Sequence, residues 1–246
     1  MYQFQTLKSI YQIIIRYRKP DHSQYEYSGN MVLNAKRNKG NCLFVLEQRT
    51  DTKLNGVAPQ QVMDNLMLEL GNALYPIELN TDLKGEIRSI GNFSEIRERW
   101  IKKSRDLYKR NKTQAFRNYL EMSQNNLTHE SRFKEVLLRD SFIQLFFLNY
   151  GNNTLRFDFV NFPVRSRKLS LHALKEPDYY SLHPAFREKD MKTVRGKLGY
   201  RTAKTGELLK MDMNLLLEND KEECYRKSVS IRSDEKKHTV KTGIFF

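Results

Sequence analysis

The feature that most constrains the fold is a helical stretch, residues 92–151, between two segments that have strand patterning. Asn92 and Glu95 have the spacing of a capping box, and apolar residues, Trp100 among them, then recur at spacings of three, four and seven. The pattern breaks at 111–113 and again near Thr128. We therefore predict two or three helices, the last of them continuous from Thr128 to about residue 148 and ended by residues 149–151.

The segment before the helices alternates apolar and polar residues, the period of a half-buried strand. Three such strands over residues 11–46 predict a meander. A helix with Pro59 in its first turn follows and runs to about Leu74, and a hairpin over residues 77–90 leads into the helical stretch.

The segment after Gly151 returns to strand patterning, first over residues 155–173. An irregular stretch at 177–190 predicts a long structured loop, and a second meander runs from Lys192 to Ile231. The whole pattern predicts an α+β fold, with antiparallel β-meanders at both ends flanking a central helical segment. Two arrangements fit: one curved sheet packed on the helices, or two sheets with the helices between them.

Length and composition predict one domain. The chain has 246 residues, of which 39% are hydrophobic, so it can bury a core, and it contains neither a low-complexity linker nor a repeat at a solenoid period. We predict a single domain over 1–246. Its parts are a meander, helix and hairpin at 1–91, the helical segment at 92–150, and an antiparallel β region at 151–246 with a polar tail from 233.

Hydropathy and cysteine content indicate the compartment. No run approaches the roughly 20 apolar residues that span a bilayer, and the first residues lack the apolar core of a secretory signal. Two cysteines, Cys42 and Cys224, are fewer than a secreted disulfide scaffold usually carries. We expect a soluble, cytoplasmic protein with no membrane span.

Charge is the strongest compositional signal, because 43 Lys and Arg against 29 Asp and Glu give a net charge of +14. Basic side chains attract phosphate backbones through counterion release. The candidate contacts for a nucleic acid or another anion are Arg105, Lys109, Arg110, Lys112 and Arg117 in the helical stretch, and Arg195, Lys197 and Arg201 in the second meander. For the helical set we favour a plainer interpretation, a solvated helix face with i,i+4 ion pairs.

The sequence presents no pattern of catalytic, cofactor-binding or metal-binding residues. The five histidines are scattered, although His172, Asp178 and His183 could converge in a loop. Asp140 is the most unusual acid because it lies in an apolar helical pattern. We expect it to pair structurally with Arg139 or with a neighbouring helix.

These observations predict a non-enzymatic interaction module, or an accessory component of a larger assembly, with a protein partner and no cofactor. The apolar end formed by Ile244, Phe245 and Phe246 is a candidate docking segment for that partner. A nucleic-acid-binding protein that uses the basic residues is the first alternative. The second is a carrier of a small apolar ligand, with a cavity near Tyr17, Phe157 and Met213.

Overall fold

The computed structural model describes residues 3, 5–160, 162, 168–185 and 191–234. Its strands are β1 (Thr6–Arg18), β2 (Gln24–Arg37), β3 (Asn41–Leu54), β4 (Ile77–Asp82), β5 (Ile87–Ile90), β6 (Thr154–Val160), β7 (Lys168–Lys175), β8 (Tyr180–Pro184), β9 (Met191–Thr202), β10 (Leu208–Asn219) and β11 (Cys224–Ser233). Its helices are α1 (Val62–Asn72), α2 (Phe93–Arg110), α3 (Gln114–Asn125), α4 (Glu130–Leu137) and α5 (Ser141–Phe146).

All eleven strands of the described residues form one antiparallel sheet, in the order β5-β4-β3-β2-β1-β11-β10-β9-β8-β7-β6. The first and last strands are neighbours: β1 pairs with β11 from Tyr11 opposite Ser233 to Arg18 opposite Arg226. This pairing joins the two predicted β regions. The α+β prediction with antiparallel strands is confirmed, and of the two arrangements considered the structure has the single sheet.

Ring contacts show that the sheet is strongly curved. Tyr17 on β1 packs edge-on against Phe162, just after β6, with ring centroids 5.4 Å apart. Lys227 on β11 places its Nζ 4.1 Å from the centroid of the Phe159 ring on β6. Strands β11 and β6 are separated in the sheet by β10, β9, β8 and β7. The sheet therefore curls until its β6 edge approaches the inner faces of β1 and β11.

Helix α5 packs against the inner face of this curved sheet. Phe146 lies against Tyr11 of β1 at 5.0 Å and against Phe44 of β3 at 6.2 Å, measured between ring centroids. On the other side, Gln144 donates from Nε2 to the backbone oxygen of Asp158 on β6 at 2.8 Å. Phe142, Ile143 and the other apolar side chains of this short helix are buried, so α5 fills the space that the curvature creates.

The prediction of a central helical segment is wrong. The fold is mostly sheet, and helices pack on it rather than separating two β regions. The strand pattern could not reveal this, because β1 and β11 pair residues from opposite ends of the chain. None of the helices among the described residues is long and apolar enough to cross a membrane.

The third predicted helix is two helices. Asp140 has an extended backbone with ψ 124°, and its carboxylate accepts hydrogen bonds from the N–H groups of Phe142 and Ile143. The apolar pattern therefore contains an N-cap in its middle, where α5 begins. Asp140 also forms an ion pair with Arg49 of β3, so the predicted pairing with Arg139 or a neighbouring helix is wrong.

Three smaller differences concern element ends. Asn92 precedes α2 but makes no side-chain cap; instead it accepts from the N–H of Glu78 and donates to the carbonyl of Pro76. Pro59 lies before α1, whose N-cap position is Gln61. The predicted loop at 177–190 contains strand β8, which pairs with β7 and β9.

Candidate functional site: a basic groove on the outer face of the sheet

The outer face of the sheet has a groove of about 520 Å³ where β1, β11, β10 and β9 run side by side. Six of its lining residues are Lys or Arg, and the side chain of one of them, Lys227, lies on the inner face. We call the other five the basic groove: Arg16, Arg18, Arg195, Lys197 and Arg226. Successive side chains of a strand point to opposite faces. On the opposite face of the same strands, Leu198 of β9 and Leu215 of β10 are buried in the core.

The strand register arranges the groove in two rows of side chains across the sheet. The first row is Gln24, Arg18, Arg226, Leu216 and Arg195, and the second is Glu26, Arg16, Ser228, Asn214 and Lys197. These ten residues include five cations and one carboxylate. Glu26 accepts from Arg16 Nε at 2.6 Å, so this carboxylate is already engaged.

The first row contains like charges in direct opposition. Arg18 on β1 lies opposite Arg226 on β11, an arrangement that destabilises a sheet. Among the described residues, neither these two arginines nor Arg195 has a carboxylate within ion-pair distance. Arg18 contacts His22 Nδ1 at 3.0 Å, and Lys197 places its Nζ 4.6 Å from the Tyr179 ring centroid. The groove is therefore a concentration of positive charge that the described part of the chain does not neutralise.

Arg201, the third predicted contact on β9, lies farther along the same face. It stands opposite Lys210 of β10, which in turn stands opposite Arg232 of β11. This row is separated from the basic groove by Asp212, whose carboxylate pairs with Lys210 at 2.9 Å. Burial acts to raise the pKa of Asp212, but hydrogen bonds from Lys210 and Ser230 outweigh it and lower the pKa overall. Asp212 is thus an anion that offsets its own neighbours.

The other five predicted contacts lie on α2, on α3 and in the loop between them. We call them the helical patch: Arg105, Lys109, Arg110, Lys112 and Arg117. Three of them are engaged within the fold. Arg110 pairs with Glu69 of α1 at 2.7 Å, Lys109 lies 3.7 Å from Asp106, and Arg117 donates to the hydroxyl of Tyr108. The structure does not bring the helical patch together with the groove lysine and arginines into one described site.

The remaining predicted positions are placed as follows. Ile244, Phe245 and Phe246 lie outside the described residues. Met213 is fully buried, Phe157 is 5% exposed, and Tyr17 packs on Phe162. Burial raises the pKa of Tyr17 to about 12.

The titratable residues considered for catalysis, His172, His183 and Asp140 among them, make contacts that belong to the fold. His172 of β7 stands opposite His183 of β8, and His183 Nε2 lies 3.0 Å from Ser181 Oγ. Within the described ranges, no group of three or more His, Cys, Asp or Glu side chains could hold a metal ion. Asp140 caps α5 and pairs with Arg49.

Sequence reasoning missed three residues of the basic groove, Arg16, Arg18 and Arg226. The signal was partly visible, since alternation along β1 places Gln12, Arg16 and Arg18 on the polar face of that strand. The alternation does not show which strand lies beside β1. Only the pairing of β1 with β11 puts Arg18 beside Arg226.

Comparison with known proteins adds little. No family model matches the chain, and no curated protein matches it. A solved structure of a LolA superfamily protein from Nitrosomonas europaea aligns over 94% of this chain and 88% of that chain, with 9% sequence identity and a TM-score of 0.17. A likeness at this TM-score supports no conclusion about fold or ligand.

Proposed function

We propose that this chain is a non-enzymatic binding module that holds the phosphate backbone of a nucleic acid in the basic groove. The observation that carries the proposal is the first row of the groove, in which Arg18, Arg226 and Arg195 lie together without a carboxylate. Directly opposed arginines cost stability in the free protein. A bound polyanion removes that cost, and guanidinium groups can donate two parallel hydrogen bonds to one phosphate.

The position of the groove disfavours a protein partner that adds a strand. Strands β1, β11, β10 and β9 each have a neighbour on both sides, so none of them is an edge strand to which a partner could add a strand. A partner on this face must bind through side chains. Specific protein interfaces are usually centred on buried aromatic or aliphatic anchors, whereas the two rows of the groove contain one apolar residue, Leu216.

The chemistry of the groove suits a ligand recognised by charge. Asn214, Ser228 and Gln24 lie among the cations and are neutral hydrogen-bonding groups that can contact phosphate or sugar oxygens. Phosphate contacts position a nucleic acid without reading its bases. We therefore expect binding that is largely independent of sequence and strongly dependent on salt. The protein partner and the larger assembly expected from the sequence stay predictions.

A double substitution in the groove tests the proposal. Arg195→Gln with Arg226→Gln should weaken binding of a fluorescein-labelled 20-nucleotide single-stranded DNA by about tenfold or more at low salt, because two phosphate contacts are lost. The slope of log affinity against log salt should become shallower by about 1 to 2. Fluorescence anisotropy at several salt concentrations measures both quantities.

A matched control removes the same charge elsewhere. Arg105→Gln with Lys112→Gln takes two exposed cations from the helical patch and should change the affinity by less than about twofold, since neither residue lines the groove. Wild-type protein that leaves the DNA unbound at low salt would overturn the proposal. So would a larger loss in the helical-patch variant than in the groove variant.

The same groove predicts an opposite effect on stability. Arg226→Gln should raise the free energy of unfolding by about 0.2–1 kcal/mol, because it removes the repulsion from Arg18 across the strand pair. Urea denaturation without nucleic acid measures the change. If Arg226 instead stabilises the fold, Arg226→Gln should lower the free energy of unfolding. That result would contradict a binding role for Arg226.

A further inference from the structure

A second cavity lies away from the basic groove, between helices α1 and α4 and the inner face of β2 and β3. Its volume is about 480 Å³. Most of its wall is apolar: Met67 and Leu74 come from α1 and the turn that follows it, and Phe133, Leu137 and Ile143 come from α4 and α5. Pockets of 300–1,000 Å³ with apolar walls and a few placed polar groups are typical of small-molecule sites.

The polar groups of this cavity are concentrated at Arg49. Its guanidinium donates from Nη2 to Asp140 at 2.6 Å and from Nη1 to the hydroxyl of Tyr27 at 3.4 Å, a long contact. The Nε–H of Arg49 has no partner among the described residues. The Tyr75 ring lines the same cavity, and its hydroxyl lies close enough to Arg49 to interact with it.

This arrangement has more donors than acceptors. Arg49 offers five N–H groups, and each tyrosine hydroxyl that accepts from it retains its own O–H to donate. The Arg49 side chain is 18% exposed and the Asp140 side chain 29% exposed, so the pair is not sealed off. An oxygen acceptor placed beside the two tyrosine hydroxyls would complete the hydrogen bonding of the cavity.

Charge selects the kind of acceptor. Asp140 already balances Arg49, so this pair is neutral, and the other charged residue of the lining, Arg139, is exposed to solvent. A carboxylate ligand would meet the anion of Asp140, and an ammonium ligand would meet the cation of Arg49, at a site where the surrounding side chains are apolar. An uncharged carbonyl oxygen avoids repulsion from both Asp140 and Arg49.

We infer that this cavity binds a small, mostly apolar molecule that carries an uncharged carbonyl oxygen, seated beside Tyr27 and Tyr75. The site is independent of the nucleic-acid proposal, because it lies on the inner side of the sheet and shares no lining residue with the basic groove. The entrance lies beside α1, where Met67 is 37% exposed.

Three ten-carbon probes test the inference: 2-decanone, decanoate and decylammonium. Each is titrated separately against the full-length protein by saturation-transfer NMR at neutral pH. We expect 2-decanone to bind at least about tenfold more tightly than either charged probe, because only it avoids an unpaired buried charge. Equal binding of all three probes, or no binding of 2-decanone, would overturn the inference.

Gly71 offers a position from which a larger side chain can block the cavity. It lies in α1 and lines the cavity, and a Cβ atom added to it meets nothing within 4 Å. Gly71→Phe should fill the cavity and abolish binding of 2-decanone, while Gly71→Ala should bind it as the wild type does. Circular dichroism verifies that both variants are folded. Retained binding in a folded Gly71→Phe variant would place the probe elsewhere and overturn the assignment.

Tyr75→Phe tests the polar end. Removal of this hydroxyl should weaken 2-decanone binding several-fold and leave decane, which has no oxygen, unaffected. An equal loss for both molecules would mean that Tyr75 contributes shape alone, against the inference.

Discussion

Replacing Asp140 with alanine is expected to lower the free energy of unfolding by about 3 kcal/mol. The Asp140 carboxylate has two roles. Oδ2 accepts from Arg49 Nη2 at 2.6 Å, and Oδ1 accepts from the backbone N–H groups of Phe142 and Ile143 at 3.0 and 3.1 Å. Alanine removes the ion pair and the cap together. It leaves the guanidinium of Arg49 without a counter-charge in the interior.

The expected loss lies at the lower end of the range for broken buried pairs, because both side chains keep some exposure. Burial acts to lower the pKa of Arg49, but the charge and hydrogen bond of Asp140, together with Tyr75 and Tyr27, outweigh burial and raise the pKa, so the guanidinium is charged in the folded protein. The loss of stability in Asp140→Ala therefore comes from an unpaired Arg49 guanidinium, which stays charged because it does not release its proton.

Two companion variants separate the roles of Asp140. Asp140→Asn keeps an oxygen for the α5 cap and removes the charge, so it should lose about 2 kcal/mol, less than alanine. Adding Arg49→Met to Asp140→Asn should recover most of that loss, since an apolar pair of similar size replaces an unpaired cation. Urea denaturation of the wild type, Asp140→Ala, Asp140→Asn and the double variant measures these differences in the free energy of unfolding. An Asp140→Ala loss below about 1 kcal/mol would show that α5 is not anchored through this residue.

Replacing Lys227 with methionine is expected to have the opposite effect, a gain of about 3 kcal/mol at pH 7. Lys227 lies on the inner face of β11, opposite Tyr17 and Leu215. Its Nζ is 4.1 Å from the Phe159 ring centroid and 5.5 Å from that of Phe162. Among the described residues, no carboxylate lies within ion-pair distance of it. Burial lowers the pKa of Lys227 to about 8, from an ordinary value of 10.5.

The pH dependence follows from this shift. Below about pH 8 the amine is protonated in the folded and unfolded protein alike, and the folded state carries the full cost of burying the charge. Between about pH 8 and 10.5 the folded protein releases the proton first, so the stability of the wild type rises with pH. The advantage of Lys227→Met should therefore be complete at pH 7 and should shrink towards pH 10.5.

Urea denaturation of the wild type and Lys227→Met at pH 7 and pH 10 measures both the gain and its decline. Lys8→Met is the matched control, because Lys8 is an exposed lysine on the neighbouring strand β1 and its removal should change stability by less than about 0.5 kcal/mol. A Lys227→Met variant that is destabilised at pH 7 would mean that the contact of the amine with Phe159 and Phe162 outweighs its burial.

Local structure was predictable where the period of the apolar residues decides it. Tyr11 and Ile13 alternate with polar residues and form β1, and Ile96, Trp100 and Leu107 form the buried side of α2. The interruption at Asp140 was not predicted, because an N-cap within a continuous apolar pattern is visible only once its carboxylate is seen to accept from the next turn. For Asn92 the opposite error occurred: a cap was predicted where there is none. Its side chain instead forms hydrogen bonds with residues of another segment.

The sites were predictable only in part. Arg195 and Lys197 were identified by their charge, but the three other cations of the groove come from β1 and β11. Their grouping depends on a register between Arg18 and Arg226, which the sequence does not state. The inner cavity was expected near Tyr17, Phe157 and Met213, whereas the cavity with polar donors lies between α1 and α4.

The sequence by itself determined the amphipathic helices, the alternating strands, the α+β class and the excess of basic charge. These depend on spacings of two to four residues and on composition. Only the tertiary structure decided that β1 and β11 join the two β regions, that the sheet curls until Phe159 meets Lys227, and that Asp140 pairs with Arg49. These contacts join residues far apart in the chain, and they form because one curved sheet buries more apolar surface than two separate meanders could.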